Sequence, residues 1–130
     1  MSITVSIIYS FWNNILCSAG YYLNEKHTNR NEYIKDYEYL KEILLKKYSK
    51  PEIDRISWDN DLYKNDKSQW GFAVSLGHLS YWAHWETPST IVRLSLSGDN
   101  YVINCFVIYA SKELLEKESK YREEKVSENF

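Results

Sequence analysis

The sequence has little cysteine, proline or glycine, and no apolar run is long enough to span a bilayer. Two cysteines cannot make a disulfide framework, so we expect Cys17 and Cys105 to be buried thiols in separate strands. A single bridge between them stays open, because sequence does not give the separation of their Cα atoms. The isolated glycines exclude a glycine-rich phosphate cradle, and the start lacks the basic segment of an export signal.

An excess of charge of one sign is also missing. The formal net charge is −2, which gives no electrostatic reason to expect a nucleic-acid partner or an anionic membrane surface. The length of 130 residues predicts a single domain that can bury a core without disulfides or metal. What the chain has in abundance is aromatic residues, with 5 Trp, 12 Tyr and 4 Phe.

Hydrophobic periodicity predicts the elements. Alternation predicts strands over about 3–11 and 15–23, and helical spacing predicts a long helix over about 30–48. Residues 52–65 are interpreted as irregular, and three further strands are expected between Leu79 and Tyr109. Residues 67–77 fit both a short helix and an alternating strand, and we favour the helix because Gly77 can end it.

The resulting order, β-β-α-(α)-β-β-β-α, predicts an α+β fold. Tight turns between strands indicate one antiparallel sheet of about five strands, with the long helix packed on one face. We expect a single domain over 1–111, followed by a charged C-terminal helix and frayed tail over 112–130. The first strand is expected at an edge of the sheet, and the apolar last strand in its interior.

No catalytic or metal motif is complete. His84 and Glu86 share one face of a strand and match part of a zinc-deaminase signature, but the downstream Pro-Cys-x-x-Cys is missing. A calcium loop starting at Asp59 would need glycine at Lys64 and glutamate at Trp70. We therefore predict no catalytic residue, no metal site and no cofactor.

Aromatic residues supply the candidate surface. Tyr81, Trp82, His84, Trp85 and Glu86 lie close together on one predicted strand. Because neighbouring strand residues point to opposite faces, Trp82 and Trp85 cannot both face the core. The exposed one would offer a platform for a ligand or partner, unless the helices cover both faces.

Residues at particular spacings also make the chain similar to a known group of proteins. These residues are Tyr37-x-x-Leu40-x-x-x-Leu44-x-x-Lys47-Tyr48-x-x-Pro51, then Trp58, Gly77-His78-Leu79, Trp85-x-Thr87-x-x-Thr90-x-Val92 and Ile108-Tyr109-x-Ser111. Over about residues 5–111 the chain resembles uncharacterised small or lipoprotein-like proteins of low-GC bacteria, for which no activity is established. In those proteins the helix usually ends in Lys-Tyr-Gly-x-Pro, and Ser49 replaces that glycine here. The resemblance implies a scaffold and an additional upstream portion.

These observations favour a non-catalytic protein-binding or self-associating module, with a homodimer through the first strand as one form. One alternative is a small hydrolase-like enzyme that uses His84, Glu86 and His78. Another is a small-ligand domain lined by Tyr81, Trp82 and Trp85. We expect the chain as it stands to be cytoplasmic, whereas an upstream segment would make it secreted or lipoprotein-derived.

Overall fold

A six-stranded antiparallel sheet forms the centre of the molecule, in a computed structural model that describes residues 5–128. Its strands are β1 (Val5–Trp12), β2 (Ile15–Leu23), β3 (Ile53–Trp58), β4 (Leu79–Glu86), β5 (Thr90–Asp99) and β6 (Val102–Ser111). The spatial order is β1-β2-β6-β5-β4-β3, so β1 and β3 form the two edges and β6 lies inside. The α+β class, the antiparallel sheet and the edge position of the first strand are confirmed. The start of the predicted first strand, residues 3 and 4, lies outside the described residues.

The sheet has one strand more than the approximately five expected. The additional strand is β3, within the segment that was interpreted as irregular. It pairs with β4 alone, and Asp54 on it forms a 2.5 Å ion pair with Lys41. Because β3 is an edge strand with polar residues on both faces, it lacks the alternation by which a half-buried strand is recognised.

Three helices accompany the sheet: α1 (Asn31–Tyr48), α2 (Trp70–Ser75) and α3 (Lys112–Glu128). The long helix α1 buries Tyr37 and Leu44 from its apolar stripe, against β5 and β6. It ends where the Ser49 amide donates to the Leu45 carbonyl and the Ser49 backbone takes a φ of 67°. The packing of the long helix on one face of the sheet is confirmed.

We call the face beneath α1 the helix face and the opposite one the open face. The main core lies on the helix face, where α1 and α2 exclude water from apolar side chains of β4, β5 and β6. Those strand residues are Leu79, Tyr81, Ala83, Trp85, Val92, Leu94, Leu96, Cys105 and Val107. Both Cys17 and Cys105 are buried free thiols, as the composition led us to expect.

The ambiguous segment is helical, a 3-10 turn over Lys67–Gln69 followed by α2. The side-chain carbonyl of Asn31 accepts a 2.6 Å hydrogen bond from the Gly71 amide, which joins α2 to the start of α1. A Cβ at Gly71 would collide with the backbone of Arg30 and Asn31. The close approach of α2 to the start of α1 therefore requires glycine at this position.

The C-terminal helix α3 contacts the sheet near the turn of the β1–β2 hairpin. Tyr121 packs edge-on against Trp12, with ring centroids 6.2 Å apart, and Glu118 lies 3.8 Å from the Cys17 sulfur. Leu114 and Leu115 in the first turn are half-buried, the helix is exposed from residue 119 onward, and ion pairs join its successive turns, such as Lys117 with Glu113 at 2.9 Å. The predicted charged helix is thus present; residues 129 and 130 of the predicted frayed tail lie outside the described part of the chain.

Candidate functional site

The sheet separates the five residues of the predicted aromatic surface. Tyr81 and Trp85 lie on the helix face and are 4% and 1% exposed, so they belong to the core. The indole N–H of Trp85 donates a 2.9 Å hydrogen bond to the Ser49 carbonyl at the end of α1. Trp82, His84 and Glu86 lie together on the open face, as the strand period requires.

His84 is the centre of a four-residue polar network on the open face. Its Nδ1 accepts a 3.0 Å hydrogen bond from Arg93 Nε, and its Nε2 lies 2.8 Å from a Glu86 carboxylate oxygen. Because a guanidinium can only donate, Nδ1 carries the lone pair and Nε2–H donates to Glu86. The other Glu86 oxygen binds Lys112 at 2.8 Å, which ties the first residue of α3 to the sheet.

This geometry leaves His84 with no ring nitrogen available for proton transfer. The side chain is 7% exposed, and both nitrogens are hydrogen-bonded, one to Arg93 and the other to Glu86. Hydrogen bonds from Lys112 and His84 lower the pKa of Glu86 to about 2, so Glu86 is an anion across the neutral range. His78 does not join the group, because it stacks on Tyr63 at 6.1 Å instead.

Trp82 belongs to a row of residues across the open face. In register it lies opposite Arg55 on one side and Ser95 on the other, and Arg55 stacks over its ring at 5.9 Å. Phe106 and Tyr22 continue the row beyond Ser95, with ring centroids 5.3 Å apart. The aromatic rings of the row are half-buried.

The β1–β2 hairpin keeps a large apolar surface exposed, although α3 contacts it at Trp12 and Cys17. From Val5 to Asn24 the chain has no charged residue, and on the open face of β1 the polar side chains are serines, Ser6 and Ser10. Ile7 and Tyr9 lie on the helix face, and Ile8 lies on the open face. Seven large side chains of the hairpin are exposed: Val5, Ile7, Ile8, Tyr9, Phe11, Ile15 and Leu16.

The two edges of the sheet differ in how they are protected. The edge strand β3 follows Pro51 and carries Asp54 and Arg55, and charge and proline on an edge both oppose pairing with another strand. The edge strand β1 has eight residues and carries neither. The register of β1 on β2 shifts between Ser10 and Phe11, so the stretch of this edge that lacks charge, proline and a bulge is residues 5–10.

A groove runs between α1 and the hairpin on the helix face. It has a volume of about 420 Å³ and is lined by Val5, Tyr21, Leu40, Lys47, Tyr48, Val107 and Tyr109. The sequence patterns did not single out this set, because its members come from four elements that only the strand order brings together. The part of the groove that the sequence could have pointed to is Lys47-Tyr48, at the end of the long helix.

A second feature missed from sequence links His27 to α1. Its Nε2 lies 2.6 Å from a carboxylate oxygen of Asp36, whose side chain is 4% exposed. The His27 ring packs edge-on against Tyr33 at 4.8 Å, and the His27 amide donates to the Tyr33 hydroxyl. The pair fixes the loop after β2 to the helix and gives buried Asp36 its partner.

Between residues 5 and 128, no group of three or more histidine, cysteine, aspartate or glutamate side chains is arranged to hold a metal ion. The same residues contain no helix with the length and hydropathy needed to cross a membrane. Comparison of the chain with family models, curated proteins and solved structures finds no match.

Proposed function

We propose that the protein is a non-catalytic module that self-associates through the free edge of β1. The observation that supports this most directly is an eight-residue edge strand without charge or proline, next to exposed apolar side chains. Unpaired N–H and C=O groups along such an edge are a template for another strand. A second copy supplies that strand with matching length and polarity.

The proposed dimer joins two sheets across a two-fold axis. Antiparallel pairing of two β1 strands places the same residues on both sides of the interface, which is the isologous arrangement typical of homodimers. Two strands of this length form about eight backbone hydrogen bonds. A stable interface buries roughly 1,200 Å² or more, so we expect side chains flanking the edge, such as Ile8 and Tyr9, to be buried too.

Light scattering coupled to size exclusion over a concentration series tests the proposal. We expect the unmodified protein to be a dimer and Ile8→Lys to be a monomer, because the substitution places a charge on the edge strand. Ile56→Lys is the matched control: Ile56 is on the opposite edge strand, and the two isoleucines are 57% and 55% exposed. A monomer at all concentrations, or equal effects of both substitutions, would contradict the proposal.

Hydrogen exchange gives an independent readout of the same interface. We expect amides of β1 to gain protection as protein concentration rises, because their outward-facing groups become paired in the dimer. Amides of β3 serve as the internal control and should not respond. Protection that is independent of concentration in β1 would mean that its edge remains free.

The hydrolase-like alternative receives no support from the site geometry. A general base needs a free lone pair within reach of a substrate proton, and the His84 lone pair is held by Arg93. The partners of His84 and Glu86 instead join two strands to the start of α3.

The proposed setting is the cytoplasm of a bacterium, with no nucleic-acid partner. Two buried free thiols fit a reducing compartment, and the near-neutral charge gives no basis for binding a polyanion. The bacterial origin rests on the resemblance of the helix and strand patterns to proteins of low-GC bacteria.

A further inference from the structure

The groove between α1 and the hairpin has the form of a small-molecule site. Its volume of about 420 Å³ lies within the range of ligand pockets, and its lining is apolar or aromatic except for one lysine. The floor comes from Tyr21, Val107 and Tyr109 on neighbouring strands, and the wall from Leu40 and Tyr48 on α1. An apolar chain placed there would exchange part of its contact with water for contact with these side chains.

Lys47 brings a positive charge to this apolar groove. Its ammonium lies 5.4 Å from the ring centroid of Tyr48 and 6.0 Å from that of Tyr109. No carboxylate among residues 5–128 forms an ion pair with it, whereas the neighbouring Lys46 pairs with Glu42. An uncompensated ammonium beside an apolar surface attracts an anionic group of a ligand.

Three tyrosines accompany the lysine. The ring of Tyr109 is 5.6 Å from that of Tyr21 and 6.4 Å from that of Tyr48. Burial first, and then the neighbouring Tyr48 and Tyr21, raise the pKa of Tyr109 above its ordinary value. Its hydroxyl therefore keeps its proton at neutral pH and can donate a hydrogen bond to an anion.

We propose that this groove binds an amphipathic carboxylate. The apolar chain lies over Tyr21, Leu40 and Val107, and the carboxylate is held by Lys47 with hydrogen bonds from tyrosine hydroxyls. The site is distinct from the proposed self-association surface, because all of its lining except Val5 lies on β2, β6 and α1, whereas the proposed dimer uses the free edge of β1.

Calorimetric titration with octanoate, octanol and hexanoate tests the ligand class. We expect octanoate to bind at least about tenfold more tightly than octanol, because only the acid can form a charge-assisted contact. Burial of methylenes contributes about fourfold in affinity for each, so hexanoate should bind about 15-fold more weakly than octanoate. No saturable binding of octanoate below its micelle concentration would overturn the proposal.

Substitution of two adjacent lysines, one at a time, distinguishes the proposed contact of Lys47 with the carboxylate from a general effect of positive charge. Lys47→Met should bring octanoate down to the affinity of octanol, and Lys46→Met should leave the preference intact. The monomeric Ile8→Lys variant should also retain octanoate binding, which keeps failure of this site distinct from failure of the dimer. Equal losses in Lys46→Met and Lys47→Met, or an unchanged preference in Lys47→Met, would overturn the assignment.

Discussion

His84 illustrates how much a single residue's role depends on its cross-strand partners. The period of a strand places His84 and Glu86 on one face, and in the structure the two side chains are hydrogen-bonded there. The contacts with two cations could not be predicted from sequence. Arg93 reaches His84 through the register of β5 on β4, and Lys112, which binds Glu86, comes from another element. Those cations join His84 and Glu86 to β5 and to the start of α3.

Glu86 should make stability depend on pH in the acid range. Its folded pKa of about 2 lies below the ordinary 4.5, so the unfolded chain takes up a proton first as pH falls. The contribution is present above pH 4.5 and is lost on the way to pH 2. We expect Glu86→Gln to lower the urea midpoint at neutral pH, with the difference from the unmodified protein vanishing near pH 2.

The control for this prediction is Glu113→Gln. Glu113 also binds a lysine, Lys117 at 2.9 Å, but within one exposed helix, where such pairs contribute little. Its urea midpoint should stay close to that of the unmodified protein at all pH values. A Glu86→Gln difference that does not change with pH would contradict the assignment of the effect to the carboxylate charge.

At the scale of elements, sequence patterns performed well where one face of an element is buried. The long helix, the short helix and the central strands have apolar periods that the core imposes. The strand β3 was missed because its two faces are similar in polarity, and because its pairing with β4 is a contact between distant parts of the chain. The residues that line the groove were also missed because they come from distant parts of the chain.

The end of α1 offers a test of backbone strain. Ser49 has φ 67° and ψ −144°, a region that is almost restricted to glycine, and its amide and carbonyl are both hydrogen-bonded there. Ser49→Gly should therefore stabilise the protein by about 1–3 kcal/mol, measured by urea unfolding.

The hairpin turn supplies a control for Ser49→Gly. Asn13 also has a positive φ, of 50°, but in the left-handed region that asparagine tolerates. Asn13→Gly should change stability by less than Ser49→Gly. An equal increase in the free energy of unfolding of the two variants would contradict the prediction, because the increase would then not depend on strain at Ser49.

The molecule as a whole distributes its core unevenly. The helices α1 and α2 cover β4, β5 and β6 on the helix face, while seven large side chains of the hairpin remain exposed. The alternation of β1 alone does not reveal this, since a covered strand and an uncovered one have the same period. Which strands the helices cover is set by the strand order, and that order decides where the edge and the groove lie.

Titratable residues buried in the core on the helix face should make the stability of the protein fall at alkaline pH. Burial is the main cause that raises the pKa of Tyr37, and it raises the pKa values of Tyr81 and Cys105 to about 12. The folded protein therefore holds protons that the unfolded chain releases from about pH 9 to 10 upward. Stability is unaffected below that range and falls as pH rises toward 12.

Each such group lowers the free energy of unfolding by about 1.4 kcal/mol per pH unit across its window. The three groups act in the same direction, so their losses of stability add as pH rises. We therefore expect tyrosinate absorbance and circular dichroism to change in one cooperative transition, and Tyr37→Phe to move it to higher pH. Its hydroxyl has no hydrogen-bond partner among the described residues, so its removal leaves no donor or acceptor unpaired. Gradual ionisation with intact secondary structure would mean that these hydroxyls reach water in the folded state.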